Sequence, residues 1–268
     1  MSSAFVTDRG APRDQAHGLR RLFAGSAQRV VAVVSNPHAA FAGVLLERLS
    51  TALTQLRLNT LLVDAADNSP APSEWAALDL AAAIERLSPQ LSYLAARGLP
   101  LRQVDTRGSS AHWLQQVAQA APQAQVLVLH ATAADLARLL GRQAVRPLLL
   151  ADDTPDGMTH AYAAMKLLAQ RRELLSYDLL LAAPPDARMA RRIAERLASC
   201  ADRFLGAALR DWVAVDPASD VREPPCAGLL RLARESCRVE PAAPEPTDPV
   251  SMPWLRRRAQ PLPSLNPT

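Results

Sequence analysis

Residues 29–65 read RVVAVVSNPHAAFAGVLLERLSTALTQLRLNTLLVDA. The opening run, 29–35, is apolar almost throughout, with no alternation of apolar and polar positions. Such a run predicts a strand covered by helices on both faces. A short turn follows. Then Val44, Leu45, Leu49, Ala52, Leu53 and Leu56 fall on one stripe of a helix, and "NTLLVDA" (59–65) begins a second buried strand. Strand, turn, helix and strand in this order make a right-handed parallel unit. In such a unit the turn after the first strand faces the helix N-terminus, where phosphate is commonly held.

The pattern continues outward. "AQVLVLH" (124–130), "RPLLLAD" (146–152) and "YDLLLAA" (177–183) read as further strands, with "LPLRQVD" (99–105) and "DWVAVD" (211–216) as weaker ones. Helices are predicted over 73–98 with a break at Pro89, and over 109–121, 133–143, 158–174 and 186–209. Pro147 can supply no strand hydrogen bond and predicts a strand start or a sheet edge. The fold class expected is α/β, a doubly wound, mostly parallel sheet flanked by helices, within residues 29–239. Residues 1–28 form an N-terminal segment, and the Pro-rich stretch 240–268 is expected to be a disordered tail.

Composition narrows the function classes. Apolar residues make up 49% of the 268, but aromatics only 4%, which favours a helix-rich core over a β-sandwich. The net charge of +4 is spread along helices instead of gathered in one patch, so nucleic acid is not an expected partner. Cys200, Cys226 and Cys237 have no metal-ligand spacing, and three cysteines make no disulfide framework. No apolar run reaches signal-peptide or membrane-span length, so a cytoplasmic location is expected.

The turn itself holds Ser35, Asn36, Pro37, His38, Ala39, Ala40, Phe41, Ala42 and Gly43. A phosphate loop needs glycines for close backbone approach, a lysine for the β/γ oxygens and a Ser or Thr for magnesium. Pro37 removes an N–H donor, and Phe41 places a ring where a residue without Cβ is wanted. No lysine is near, because every basic residue of the chain but Lys166 is an arginine.

With these residues in place, the layout resembles the opening of the MinD/ParA-type deviant P-loop ATPases. There a strand, a K-G-G-V-G-K-T loop, a helix and a strand ending in D-x-D follow at this spacing. The resemblance spans about residues 29–222. "DTPDGMTHAYAAMKLL" (153–168) and "ADRFLGAALRDWVAVDPASDVRE" (201–223) are similar to segments of the FlhG (FleN) branch, the regulators of flagellar number. "DQAHGLRRL" (14–22) matches the D-Q-A-x-x-L-R motif that precedes the ATPase fold in that branch.

The resemblance implies a P-loop NTPase-like fold, with ATP and magnesium as the family's cofactors. Position by position, however, the loop's signature lysine falls on Pro37, its second lysine on Ala42 and its magnesium-binding hydroxyl on Gly43. Asp64 keeps the first acid of D-x-D, Ala66 replaces the second with Asp67 one place late, and His130 stands for the Walker B aspartate. Neither cofactor is therefore expected here. The partner implied is FlhF, a signal-recognition-particle-type GTPase whose hydrolysis the N-terminal segment stimulates. The contact would use Asp14, Gln15, Ala16, Leu19, Arg20 and Leu22. A flagellar transcription activator or a basal-body component is a further partner that the resemblance suggests.

Plainer readings apply to several other residues. His130, and His38 with Asn36, read as structural; Asp152, Asp153 and Asp156 read as helix-capping acids. Tyr162 and Lys166 share a helix face and read as structural. Arg188, Arg191, Arg192 and Arg196 form a solvated or partner-facing helix side. Arg256–Arg258 give at most a weak membrane contact.

Overall fold

The structure of the chain, a computed structural model, describes residues 28–141, 143–183, 187–220 and 222–238. The first strand, β1 (Arg29–Val34), leads through the turn into α1 (Ala42–Gln55) and then β2 (Thr60–Asp64), as the opening stretch predicts. After β2 come a short helix α2 (Leu80–Ala83), the two-residue β3 (Glu85–Arg86) and β4 (Leu91–Ala95). The chain continues through α3 (Ala111–Ala120), β5 (Val126–Ala131), α4 (Ala133–Leu139), β6 (Leu148–Asp152) and α5 (Pro155–Arg172). Last are β7 (Ser176–Ala182), α6 (Ala187–Leu205), β8 (Ala208–Val215) and α7 (Ala227–Ser236).

The eight strands form one sheet in the order β3-β4-β2-β5-β1-β6-β7-β8, antiparallel at the β3–β4 pair. β1 sits in the interior between β5 and β6, its Val33 level with both His130 and Leu148. Successive strand residues point to opposite faces, and both faces are covered. Val31, Val33, Val128 and Leu150 pack with Leu45 and Leu49 of α1 and Leu229 and Leu232 of α7. Ala32, Val34, Leu129 and Leu149 pack on the other side with Trp113 of α3, Leu136 of α4 and Met165 of α5. The unalternating apolar strands are thus the consequence of a two-sided cover. Leu45, Leu49 and Leu53 are fully buried on α1, each worth roughly 1.5–3 kcal/mol of transfer free energy.

Two expectations are overturned in the middle of the chain. Residues 73–98 do not form a helix broken at Pro89. Asp79 caps the four-residue α2. The chain then reverses at residues 88–91, where the Ser88 hydroxyl accepts from the Gln90 and Leu91 amides, and returns as β4 beside β2. The edge of β2 needs a hydrogen-bonding neighbour, and burying Leu94 completely on one face with Tyr93 on the other outweighs the alanine-rich helical propensity. Residues 99–105 form no strand either. Pro100 starts a single 3-10 turn to Gln103, for which its fixed φ and missing N–H are suited. Helix α7 lies beyond the stretches predicted as helical. Pro147 precedes the first residue of β6, the strand-start position expected.

Beneath the sheet, at the N-terminal ends of β6 and β7, Asp178 is fully buried with Arg146 at 2.9 Å. Burial pushes the Asp178 carboxyl up to about 6 against the pull of Arg146. The native state therefore holds this proton to a higher pH than the unfolded chain does. The sign follows directly: stability falls as pH rises from about 4, the ordinary carboxylate value, to about 6, and is flat above that for this group. An Asp178→Asn variant should lose that segment of the pH dependence in urea titrations between those limits. An unchanged slope would refute the assignment.

Candidate functional site

The turn between β1 and α1 lies at the carboxyl end of the sheet, and one side chain organises it. Asn36, 1% exposed, donates from Nδ2 to the carbonyls of Leu150 in β6 (3.0 Å) and Gly157 in α5 (2.8 Å). Its Oδ1 accepts the His38 amide at 3.1 Å. The Ala39 amide returns to the Asn36 carbonyl and the Ala42 amide to the Ala39 carbonyl, at 3.1 and 3.2 Å. Three of the turn's amides, those of His38, Ala39 and Ala42, are thus bonded within the turn. The Asn36 side chain thus ties the turn to β6 and α5, whereas His38 is exposed and contributes its backbone amide. Phe41 occupies the N-cap of α1 with no side-chain cap and is half exposed. A Cβ at Gly43 would meet nothing within 4 Å, so that glycine serves no close approach.

The second part of the site joins three elements. Asp64 ends β2 level with His130 of β5, and His130 Nδ1 lies 2.7 Å from Asp64 Oδ1. Ser69 donates its hydroxyl to the same oxygen, and the Tyr93 hydroxyl of β4 donates to Oδ2 at 3.2 Å. Burial pushes the Asp64 carboxyl up. The bonds from His130 and Ser69, the charge of His130 and the bond from Tyr93 outweigh it and hold the group below the usual carboxylate range. Burial and the neighbouring Asp64 charge push the Tyr93 phenol up in turn. His130 Nε2 is buried with no hydrogen-bond partner, so the histidine is structural on one nitrogen and unsatisfied on the other.

These residues do not fit a triphosphate with magnesium. The acid retained from the D-x-D pattern is bound to His130, Ser69 and Tyr93. Ala66 is buried and apolar, and Ala42 and Gly43 supply neither charge nor metal ligand. Among the described residues no group of three or more His, Cys, Asp or Glu side chains could hold a metal ion. Asp152, Asp153 and Asp156 accordingly make no metal cluster. Asp152 Oδ1 accepts from the Thr154 hydroxyl at 2.6 Å, and Thr154 caps α5 by accepting the Gly157 amide at 3.0 Å.

Some of the surroundings are not legible in the sequence. Tyr93 and Ser69 complete the Asp64 cluster, but Tyr93 lies in the stretch read as helix and a lone serine carries no signal. An apolar groove of about 650 Å³ runs between α5 and α6, lined by Met158, Tyr162, Ile193, Leu197 and Phe204, with Arg196 on its wall. Tyr162 thus faces a groove, and Arg191, Arg192 and Arg196 are exposed on α6 as expected. Asp14, Gln15, Ala16, Leu19, Arg20, Leu22 and Arg256–Arg258 lie outside the described residues. Among those that are described, no helix is long and apolar enough to cross a membrane.

No family model matches the chain, and no curated protein sequence matches it. Solved structures do. The cell division protein MinD from Aquifex aeolicus superposes with a TM-score of 0.53 at 13% identity, covering 77% of this chain and 95% of that one. McdA from Cyanothece, in its complex with ATP, gives a TM-score of 0.54 at 13% identity over 82% of this chain and all of that one. A plasmid partition protein from Borrelia burgdorferi gives 0.56 at 11% identity over 78% and 99%. Together with the interior β1, the parallel sheet and the helical layers on both faces, these likenesses give the chain the fold of the MinD/ParA P-loop NTPases.

Proposed function

We propose that this chain is a non-catalytic regulator of flagellar number and placement, which binds the GTPase FlhF and stimulates it through residues 14–22. The observation that carries the reading is the β1–α1 turn, which has no lysine and whose His38, Ala39 and Ala42 amides bond to its own backbone and to Asn36. The DQA sequence supports the partner. In this reading Gln15 places a polar side chain at the FlhF nucleotide site, Leu19 and Leu22 anchor at helical spacing, and Arg20 meets acidic groups or phosphate. The role requires no ATP in the folded domain.

A peptide of residues 10–25 should raise the GTP turnover of the cognate FlhF, and the same peptide with Gln15→Ala should leave it at its basal rate. Equal stimulation by both peptides, or by neither, would overturn the reading. A second reading, a MinD/ParA-type ATPase with an unconventional site, draws on the retained Asp64 and on the ATP held by McdA, which has the same fold. It requires magnesium-dependent ATP binding by the purified chain, and no binding at millimolar ATP removes it. A MinD-like adaptor of a non-flagellar system is distinguished by failure to bind FlhF.

A further inference from the structure

At the carboxyl end of the sheet, β1 and β5 are neighbours whose outgoing connections lie on opposite faces: α1 covers one and α4 the other. Such a switch point leaves a crevice beyond the strand ends, where open α/β sheets place their ligands. Here the crevice is a cleft of about 520 Å³ on the α4–α5 side, within the size range of small-molecule sites.

Its chemistry differs from that of a phosphate site. The polar groups lining it are Ser35, Asp67, Asn68, Thr132 and His160, and among the described residues no Lys or Arg lines it. The His160 ring lies 5.6 Å from that of His38, centroid to centroid, and burial with the neighbouring His38 holds its pKa below the ordinary histidine value. Asp67 adds an exposed carboxylate at the rim. Alanines 133, 134, 163 and 164 with Leu167 make the walls. The cleft thus offers one carboxylate among hydroxyl, amide and imidazole groups, with no described cation on its walls.

We propose that this cleft binds a small organic cation carrying amine or guanidinium donors, with Asp67 as its counter-ion and His160 and Asn68 as hydrogen-bonding partners. Asp67, one place late for a D-x-D acid, serves this cleft. The proposal draws on none of residues 14–22, so it stands or falls independently of FlhF stimulation.

Agmatine is a suitable probe for isothermal titration against the full chain. It should bind at sub-millimolar concentration, and inorganic phosphate should not compete. Asp67→Asn should weaken it about tenfold or more, the worth of one charge-assisted hydrogen bond. Ala163→Leu, at an exposed wall position, should weaken it by filling the cleft. No binding at millimolar agmatine would overturn the proposal. So would binding that both variants leave unchanged, which would be general attraction to surface acids, or displacement by phosphate.

Discussion

Replacing His130 with alanine is expected to cost about 1–3 kcal/mol of folding free energy, the range for leaving a buried acceptor short of a hydrogen-bond donor. Asp64 would keep only the Ser69 and Tyr93 hydroxyls as donors while remaining largely buried. The informative measurement is a double-mutant cycle in urea with His130→Ala, Asp64→Ala and the pair together. The two residues are in contact, so the cycle should return a coupling of about 1–3 kcal/mol. Additivity within roughly 0.5 kcal/mol would mean that the 2.7 Å contact contributes nothing. The acid limb offers a second check. Because the Asp64 carboxyl is held below its ordinary value, its stabilisation is complete above about pH 4 and is lost as pH falls through the depressed native value. His130→Ala should make that acid loss shallower.

Asn36→Asp should be more damaging, by about 3–5 kcal/mol, because it leaves an unpaired charge in a buried site. The change is nearly isosteric, so packing is preserved. However, the amide that donates to the Leu150 and Gly157 carbonyls would become a carboxylate oxygen facing both of them. A protonated acid could donate to one. The variant should therefore recover stability as pH falls, opposite to the Asp64 contribution. Thermal unfolding between about pH 4 and pH 7, across the carboxylate range, would show it. An Asn36→Asp protein as stable as the parent at pH 7 would refute the role given to this amide.

The fold was more legible than the site, for reasons visible in particular residues. The runs around Val31, Leu61, Leu127, Leu149 and Leu179 identify strands because each is buried on both faces and carries no competing period. The stretch 73–98 misleads because its alanines and leucines fit a helix locally. What decides it is the open edge of β2 and the Ser88 turn, which are non-local or too small to read. At the site, the sequence shows that residues 37–43 carry neither a lysine nor a Ser or Thr hydroxyl. The partners of Asp64 could not be found that way. Tyr93 and His130 reach it only because β4 and β5 flank β2, an order fixed by the whole sheet.

The Asn36 tether has a consequence for timing. Switch proteins built on loops released by hydrolysis carry their own clock: the nucleotide decides how long each molecule stays active. Here the turn is fastened to β6 and α5 by a side chain of its own, Asn36. Under the proposed reading, activity would follow dosage. The cell would have to set flagellar output through how many copies it makes and destroys.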